Sequence, residues 1–416
     1  MAHYRTRIMD AAIERALHTF GAVILEGARA VGKTTTALRH SASSVRLDSS
    51  PDLLTLAETA PETVLRGDTP RLVDEWQLAP TVWNAVRHAV DVRGLPGQFI
   101  LTGSQTPADD VTRHSGAGRF RRLRLRPMTL SESGESLACV ALGSLFDGGE
   151  ISGLGGPSVD DYAQLIVRGG WPALIEQNER SATEYLDAYL DDITRVDIPL
   201  SGEGVDPLRM RALTRAIARN VATEAPAARL AAEAEIDGSP VSAQSVRKYL
   251  DALSRVGVLE KLPAWRPHLR SAVRLRVRPT WHFVDPSLAA VGLDASATTL
   301  LDDPRTLGFL FESLAIRDLR VYAETMGGTV CRYRDERGLE VDAIIELPNG
   351  RWAAIEIKLG GDTAIDRAAT NLQRLASQVS VERAKRLAGL AVITAGTTSL
   401  RRRDGVAVIA LGHLTA

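Results

Sequence analysis

No charge of one sign predominates in this chain of 416 residues, where 50 lysines and arginines face 51 aspartates and glutamates. That balance excludes a global field drawing in nucleic acid or a membrane surface, so any such binding has to come from local patches. Cysteine is nearly absent. Cys139 and Cys331 stand far apart in sequence, which excludes a disulfide framework and suits a reducing compartment. Long apolar runs are missing too, and Met1-Ala2-His3-Tyr4-Arg5 lacks the apolar core of a secretory signal. No membrane partner is expected, and the expected location is cytoplasmic.

What the chain does have is length for two to four domains and one stretch that organises the rest. Gly27-Ala28-Arg29-Ala30-Val31-Gly32-Lys33-Thr34, with Thr35 behind it, follows the apolar run Ala22-Val23-Ile24-Leu25 and opens a helix-compatible segment. Strand, glycine-bounded loop and helix in that order make a phosphate-binding P-loop. Its backbone N–H groups would cradle the phosphates of a bound nucleotide, Lys33 would reach the β- and γ-phosphates, and the Thr34 hydroxyl would hold Mg²⁺. The alternative is an ordinary loop with a surface lysine.

Residues 8–18 carry apolar residues at helical spacing, 45–48 read as a short strand and 52–66 as a helix. Arg71-Leu72-Val73-Asp74-Glu75 then delivers two carboxylates at a strand end, about forty residues after the P-loop, as a Walker B motif does. Asp74 would order the Mg²⁺ shell, and Glu75 would orient or deprotonate the attacking water. A further strand, 98–102, precedes an arginine-rich stretch containing Arg113, Arg119, Arg121, Arg122, Arg124 and Arg126. Arg119 is the choice for an arginine finger, which would call for a homo-oligomer if donated across a subunit boundary. The alternation from Arg122 onwards equally suits a strand with one solvated face.

Residues 147–160, rich in Gly, Ser and Pro, read as a linker and the first domain boundary. Residues 161–200 turn helical. Residues 207–265 look like a winged helix-turn-helix, with helices at 208–221, 227–234 and 242–256 and a wing at 258–262. The third helix would place Gln244 and Arg247 near base edges of DNA or RNA, with Lys248 and Asp251 on the same outward face. A helical packing module that touches no nucleic acid is the alternative. Residues 266–278 add five arginines that fit phosphate contacts or a solvated strand face.

Near the C-terminus an amphipathic helix over 307–322 carries Glu312 beside its apolar stripe. A hairpin follows, with arms 340–345 and 351–358. Pro348-Asn349-Gly350 has the residues of a three-residue turn, which sets Leu347 opposite Arg351 and therefore Asp342 opposite Glu356, with Lys358 on their face. A two-residue Asn-Gly turn would move Asp342 to the far face. Opposed carboxylates beside a lysine would make a Mg²⁺ site next to a water-activating cation. The arrangement is similar to the Asp…Glu-x-Lys pattern of PD-(D/E)XK nucleases, with Glu312 supporting. The alternative is that Asp342, Glu356 and Lys358 only solvate an amphipathic hairpin.

Taken together the residues resemble a prokaryotic family of AAA-type ATPases with a C-terminal domain known as DUF4143. The resemblance runs nearly end to end: the P-loop, Leu72-Val73-Asp74-Glu75, Leu101-Thr102-Gly103-Ser104-Gln105, Gly118-Arg119, Leu125-Arg126-Pro127-Met128 and Gly169-Gly170-Trp171-Pro172. It continues through Asp285, Gly308-Phe309-Leu310-Phe311-Glu312, Glu340-Val341-Asp342 and Ile355-Glu356-Ile357-Lys358. Ala30 stands where the family more usually has glutamine, and Val196 where an arginine often precedes the aspartate, here Asp197. The resemblance implies that Ser104, with Gln105 next in line, senses the γ-phosphate; a turn residue is the other reading.

The expected fold is α/β: a P-loop domain with a parallel sheet at 1–146, a helical middle with the winged helix at 161–285, and a PD-(D/E)XK-like domain at 300–416. The expected function is Mg²⁺-dependent ATP hydrolysis coupled to modules acting on nucleic acid. The alternative is a nucleotide-gated regulator whose nuclease-like end is an inactive scaffold.

Overall fold

In the computed structural model, residues 4–103, 116–198, 206–235, 241–266 and 280–416 are described. They form two compact units, the first comprising Met1–Arg126 with Val196–Gly204 and Asp251–Val258. The expected sensor Ser104, with Gln105, Arg113 and the arginines of 267–278, lies outside the described residues.

The first unit is built on five parallel strands: β1 (Ala22–Glu26), β2 (Ser43–Arg46), β3 (Arg71–Asp74), β4 (Phe99–Gly103) and β5 (Phe120–Arg124). Their order is β2-β3-β4-β1-β5. β1 and β4 are apolar and buried along most of their length, as central parallel strands must be. β5 shows the expected alternation in part, with Leu123 buried between exposed Arg122 and half-buried Arg124. The helices are α1 (Met9–Thr19), α2 (Lys33–Arg39), α3 (Pro51–Thr59), α4 (Pro61–Val64) and α5 (Thr81–Arg93). The single helix expected over 52–66 is two, because Ala60 precedes Pro61 and takes φ −140°, ψ 63°, the non-helical backbone that a following proline imposes. Trp76, Trp83, Phe99 and the aliphatic side chains around them form the core on one face of the sheet.

The second unit begins at Pro127, so the boundary expected at 146 falls twenty residues earlier. Here α6 (Leu130–Ser133) and β6 (Val140–Ala141) precede β7 (Gly153–Leu154). β7 lies within the stretch read as a linker, yet it pairs with a strand of the C-terminal sheet. A two-residue strand shows no periodicity to read. Next come α7 (Val159–Arg168), α8 (Glu179–Asp192), α9 (Pro207–Arg219), α10 (Ala227–Glu233) and α11 (Ala243–Arg255). β8 (Leu259–Leu262) and β9 (Thr280–Phe283) form an antiparallel pair. Three helices thus precede β8, which lies in the segment read as a wing, and its partner β9 was not expected. In α11, Val246, Tyr249, Leu250 and Leu253 are buried, while Gln244, Arg247, Lys248 and Asp251 are exposed. Its last residues, from Asp251, belong to the first unit.

After α12 (Pro286–Gly292) and the long α13 (Pro304–Thr325) comes a seven-stranded mixed sheet. Its strands are β7 with β10 (Thr329–Arg334), β11 (Glu340–Glu346), β12 (Trp352–Lys358), β13 (Leu387–Thr394), β14 (Thr398–Arg401) and β15 (Ala407–Ala410). They run in the order β10-β11-β12-β13-β15-β14-β7. α14 (Asp362–Gln378) packs through Ala368, Ala369, Leu372 and Leu375 on a cluster with Trp265, Trp352 and Ile344. The last strand, β16 (Leu414–Thr415), pairs with β6. Among the described residues no helix is long and apolar enough to cross a membrane.

Candidate functional site

The P-loop joins β1 to α2, and its backbone explains its glycines. Gly27 has φ 151°, and a Cβ there would stand 2.1 Å from the Leu125 carbonyl oxygen. Gly32 enters α2 with φ 95°, a left-handed conformation that glycine adopts without steric cost. Ala30 is left-handed as well, at φ 60°. Lys33 is buried, and its ammonium donates to the carbonyls of Gly27 at 3.0 Å and Ala28 at 2.8 Å. Ala28 and Val31 are buried, whereas Arg29, Ala30 and Thr35 are exposed.

Asp74 ends β3 and is 1 % exposed. The Thr34 hydroxyl lies 2.9 and 3.0 Å from its two carboxylate oxygens, so the two expected metal ligands meet across 40 residues of sequence. Thr102, opposite Asp74 in the β3–β4 register, donates to the same carboxylate. Arg46 Nε stands 3.6 Å away. A hydroxyl and a carboxylate converging beside a lysine are hard oxygen donors of the kind Mg²⁺ takes together with phosphate and water. Sequence reasoning missed Thr102, although its place at the end of the strand beside Walker B was a usable signal.

Glu75 follows Asp74 in a left-handed turn, φ 56°, and its carboxylate accepts from the Gln77 side-chain amide. The Gln77 carbonyl oxygen is buried with no hydrogen-bond partner among the described residues. A Cβ on Gly103 would stand 2.3 Å from it. Arg119 is not brought to the P-loop. It precedes β5 and its carbonyl accepts from Ala22 N, so it lies at the end of the sheet opposite the loop, where its Nε pairs with Asp91 at 2.6 Å. Arg121, Arg122 and Arg124 lie on β5, and Arg126 beyond its end shares Arg7 with the P-loop residue Val31.

The C-terminal constellation assembles as the three-residue turn requires. Gly350 is left-handed at φ 78°, Leu347 N donates to Arg351 O at 2.9 Å, and Ala343 pairs with Ile355 and Glu346 with Trp352. Lys358 Nζ sits 2.9 Å from Asp342 Oδ2 and 2.7 Å from Glu356 Oε2. Burial and then the Asp342 charge push the Glu356 carboxyl up to about 8 against the pull of Lys358. The same two causes raise Glu312, on α13, well above the usual carboxylate range. Burial alone would lower the Lys358 ammonium, but the two acids outweigh it and hold it above its ordinary value. All four residues therefore share one electrostatic environment. Among the described residues, however, no group of three acid, histidine or cysteine side chains is placed to hold a metal. Asp342 and Glu356 both pair with the Lys358 ammonium.

The second unit also holds a buried ionic cluster that the sequence did not advertise. Arg317 on α13 pairs with Asp285 at 2.8 Å and Asp318 at 2.7 Å, all three nearly inaccessible to solvent. Asp285 accepts from Gly170 N, and Trp171 Nε1 donates to Ser287, so the Gly169-Gly170-Trp171-Pro172 turn is fastened to the N-terminus of α12. Asp318 in turn accepts from Leu130 N at 3.0 Å.

Comparison with known proteins agrees with this layout. Residues 19–134 match the AAA domain, residues 159–299 a domain of unknown function, DUF8612, and residues 307–414 a domain of unknown function, DUF4143. The uncharacterized protein Rv2008c of Mycobacterium tuberculosis is 26% identical over 363 residues, covering 86% of this chain and 74% of that protein. The uncharacterized protein Mb2031c of Mycobacterium bovis matches to the same extent. Among solved structures, a Walker-type ATPase of Pyrococcus abyssi aligns with a TM-score of 0.42 and 13% identity, over 70% of this chain and 96% of that one. The chain thus carries a AAA domain followed by a DUF4143 domain, the pairing that the resemblance to AAA-type P-loop ATPases with a C-terminal DUF4143 domain implies.

Proposed function

We propose that the protein binds and hydrolyses ATP with Mg²⁺ at the P-loop and uses that cycle to engage nucleic acid through its middle and C-terminal regions. The observation that carries the first half is the convergence of Thr34 on Asp74 beside Lys33. Thr34 and Asp74 would hold Mg²⁺, which would supply charge neutralisation to the phosphates when bound. Lys33 leaves its two carbonyl partners for the phosphates, Thr34 and Asp74 supply the metal's protein oxygens, and Glu75 accepts the proton of the attacking water. Ser104 is retained as the proposed γ-phosphate sensor. Titration of Mg·ATP against the protein and Lys33→Ala tests this half: no heat with the wild type would overturn it.

For the second half, the exposed Gln244, Arg247 and Lys248 on α11 are the proposed contacts to DNA or RNA. The turn that ends α11 supports a link to the nucleotide, because a Cβ on Gly257 would stand 2.8 Å from Ala28 N in the P-loop. Asp342, Glu356 and Lys358 have the residue types of a nuclease. A second reading is favoured by the Lys358 ammonium lying between the two acids: a regulator whose C-terminal layer is scaffold. Incubating labelled single- and double-stranded DNA and RNA with Mg²⁺ or Mn²⁺, with and without ATP, separates the two. Cleavage lost in Lys358→Ala supports the nuclease; binding without cleavage supports the regulator.

A further inference from the structure

The match to the AAA domain begins at residue 19, yet the chain before it reaches into the P-loop. Arg7 is 4 % exposed. Its guanidinium donates through Nη1 to the Val31 carbonyl at 2.9 Å and through Nη2 to the Arg126 carbonyl at 2.6 Å. Val31 lies inside the P-loop, and Arg126 follows Leu125, the residue whose carbonyl oxygen crowds Gly27. One buried cation therefore ties the middle of the loop to the strand exit that packs against its beginning.

The rest of the segment braces α2. Asp10 accepts from Arg7 N at 2.8 Å and from Tyr4 Oη at 2.8 Å, and lies 2.9 Å from His40 Nε2 at the end of α2. Tyr4 is also 3.5 Å from Thr36 Oγ1, and the Arg39 guanidinium stacks over its ring. Segment 4–10 is thus a strap across the loop and the helix it opens.

We propose that Arg7 is a positioning residue of the nucleotide site, and that residues 4–10 are an integral part of it. In a trans peptide the carbonyl and the next N–H point in opposite directions. Holding the Val31 carbonyl fixes that peptide plane and turns Gly32 N–H to the side away from Arg7. A loop that binds phosphate through backbone N–H groups depends on such planes being set before the anion arrives. A buried guanidinium with two carbonyl acceptors sets this one with charge-assisted bonds. The effect should fall on binding of di- and triphosphates rather than on the chemical step.

This inference rests on the proposed ATP site. It is tested with Arg7→Met and Arg7→Lys by measuring KM and kcat for Mg·ATP and the Kd of Mg·ADP and of AMP. Arg7→Met should raise KM for ATP and Kd for ADP by about tenfold or more, leave kcat within about twofold, and leave any AMP binding unchanged. Arg7→Lys, which can reach one carbonyl but not fork across two, should fall between. Nucleotide constants unmoved in either folded variant would overturn the proposal, whatever happens to Tm. If Arg7→Met does not fold, Arg7→Lys alone decides. Collapse of both would make Arg7 a folding residue and overturn it too. A wild type that binds no ATP would sink the underlying reading instead.

Discussion

The Asp342 carboxylate accepts the backbone N–H of Ile357 at 2.7 Å. The paired residues of β11 and β12 begin only at Ala343 and Ile355, so beyond them a side chain takes the place of a ladder carbonyl. That bond pins the carboxylate next to Lys358. In Asp342→Asn the amide oxygen can still accept from Ile357, but the negative charge is gone. Glu356, raised by burial first and by Asp342 second, should then titrate below its value of about 8. Carboxyl ¹³C chemical shifts followed against pH measure this; an unchanged Glu356 midpoint would refute the electrostatic account of the cluster.

The same cluster sets a pH dependence of stability. Glu356 and Glu312 both have raised values in the folded protein. The folded state therefore holds protons that the unfolded chain releases, and stability falls with rising pH. The contribution of Glu356 is fully present below its ordinary value of 4.5 and is lost as pH rises through about 8. Glu356→Gln removes this titration. Its Tm relative to wild type should rise between pH 5 and pH 8.5, and a constant difference would contradict a raised Glu356 in the folded protein.

Much of the candidate site was legible because it is local. The P-loop, Asp74 and Glu75 follow strands whose apolar runs are continuous, and Pro348-Asn349-Gly350 fixes a register that carries Asp342 and Glu356 to one face. What escaped depends on partners distant in sequence. β7 is two residues long and exists through its pairing with β14. Arg119 pairs with Asp91 on α5, a partner decided by how that helix packs. Nothing in the sequence around Arg7 shows that its acceptors are the carbonyls of Val31 and Arg126, since backbone acceptors leave no trace in residue type. The role of Lys358 was half legible: its face could be read from the register, but not that its ammonium would stand between the acids.

Arg317 provides a test of the second unit's interior. Its guanidinium is the shared countercharge for Asp285 and Asp318, and burial raises Asp318 to about 6 even in its presence. Arg317→Met leaves two carboxylates buried without a cation and should cost about 3–5 kcal/mol in urea unfolding. Adding Asp285→Asn and Asp318→Asn to that variant should recover part of the loss, because the neutral amides need no countercharge. If the triple variant is no more stable than Arg317→Met, the cost lies in packing rather than in charge.

Asp74 stands at the meeting point of three elements, bonded by Thr34 from α2 and by Thr102 from β4. Asp74→Asn keeps the shape but removes the charge that would face Mg²⁺, so ATP turnover should fall by about a hundredfold or more. Thr102→Val removes only a donor to the carboxylate. It leaves the charge and the Thr34 contact, and a lost hydrogen bond to a charged group is worth about 1.5–3 kcal/mol at most. Its turnover should therefore fall by about tenfold, with Mg²⁺ dependence shifted to higher concentration, since an Asp74 with one donor fewer is held less firmly in the metal-binding orientation. Steady-state ATPase rates across a Mg²⁺ titration separate the cases. Equal losses in the two variants would mean that Thr102 holds the fold of β3 and β4 rather than the aim of Asp74.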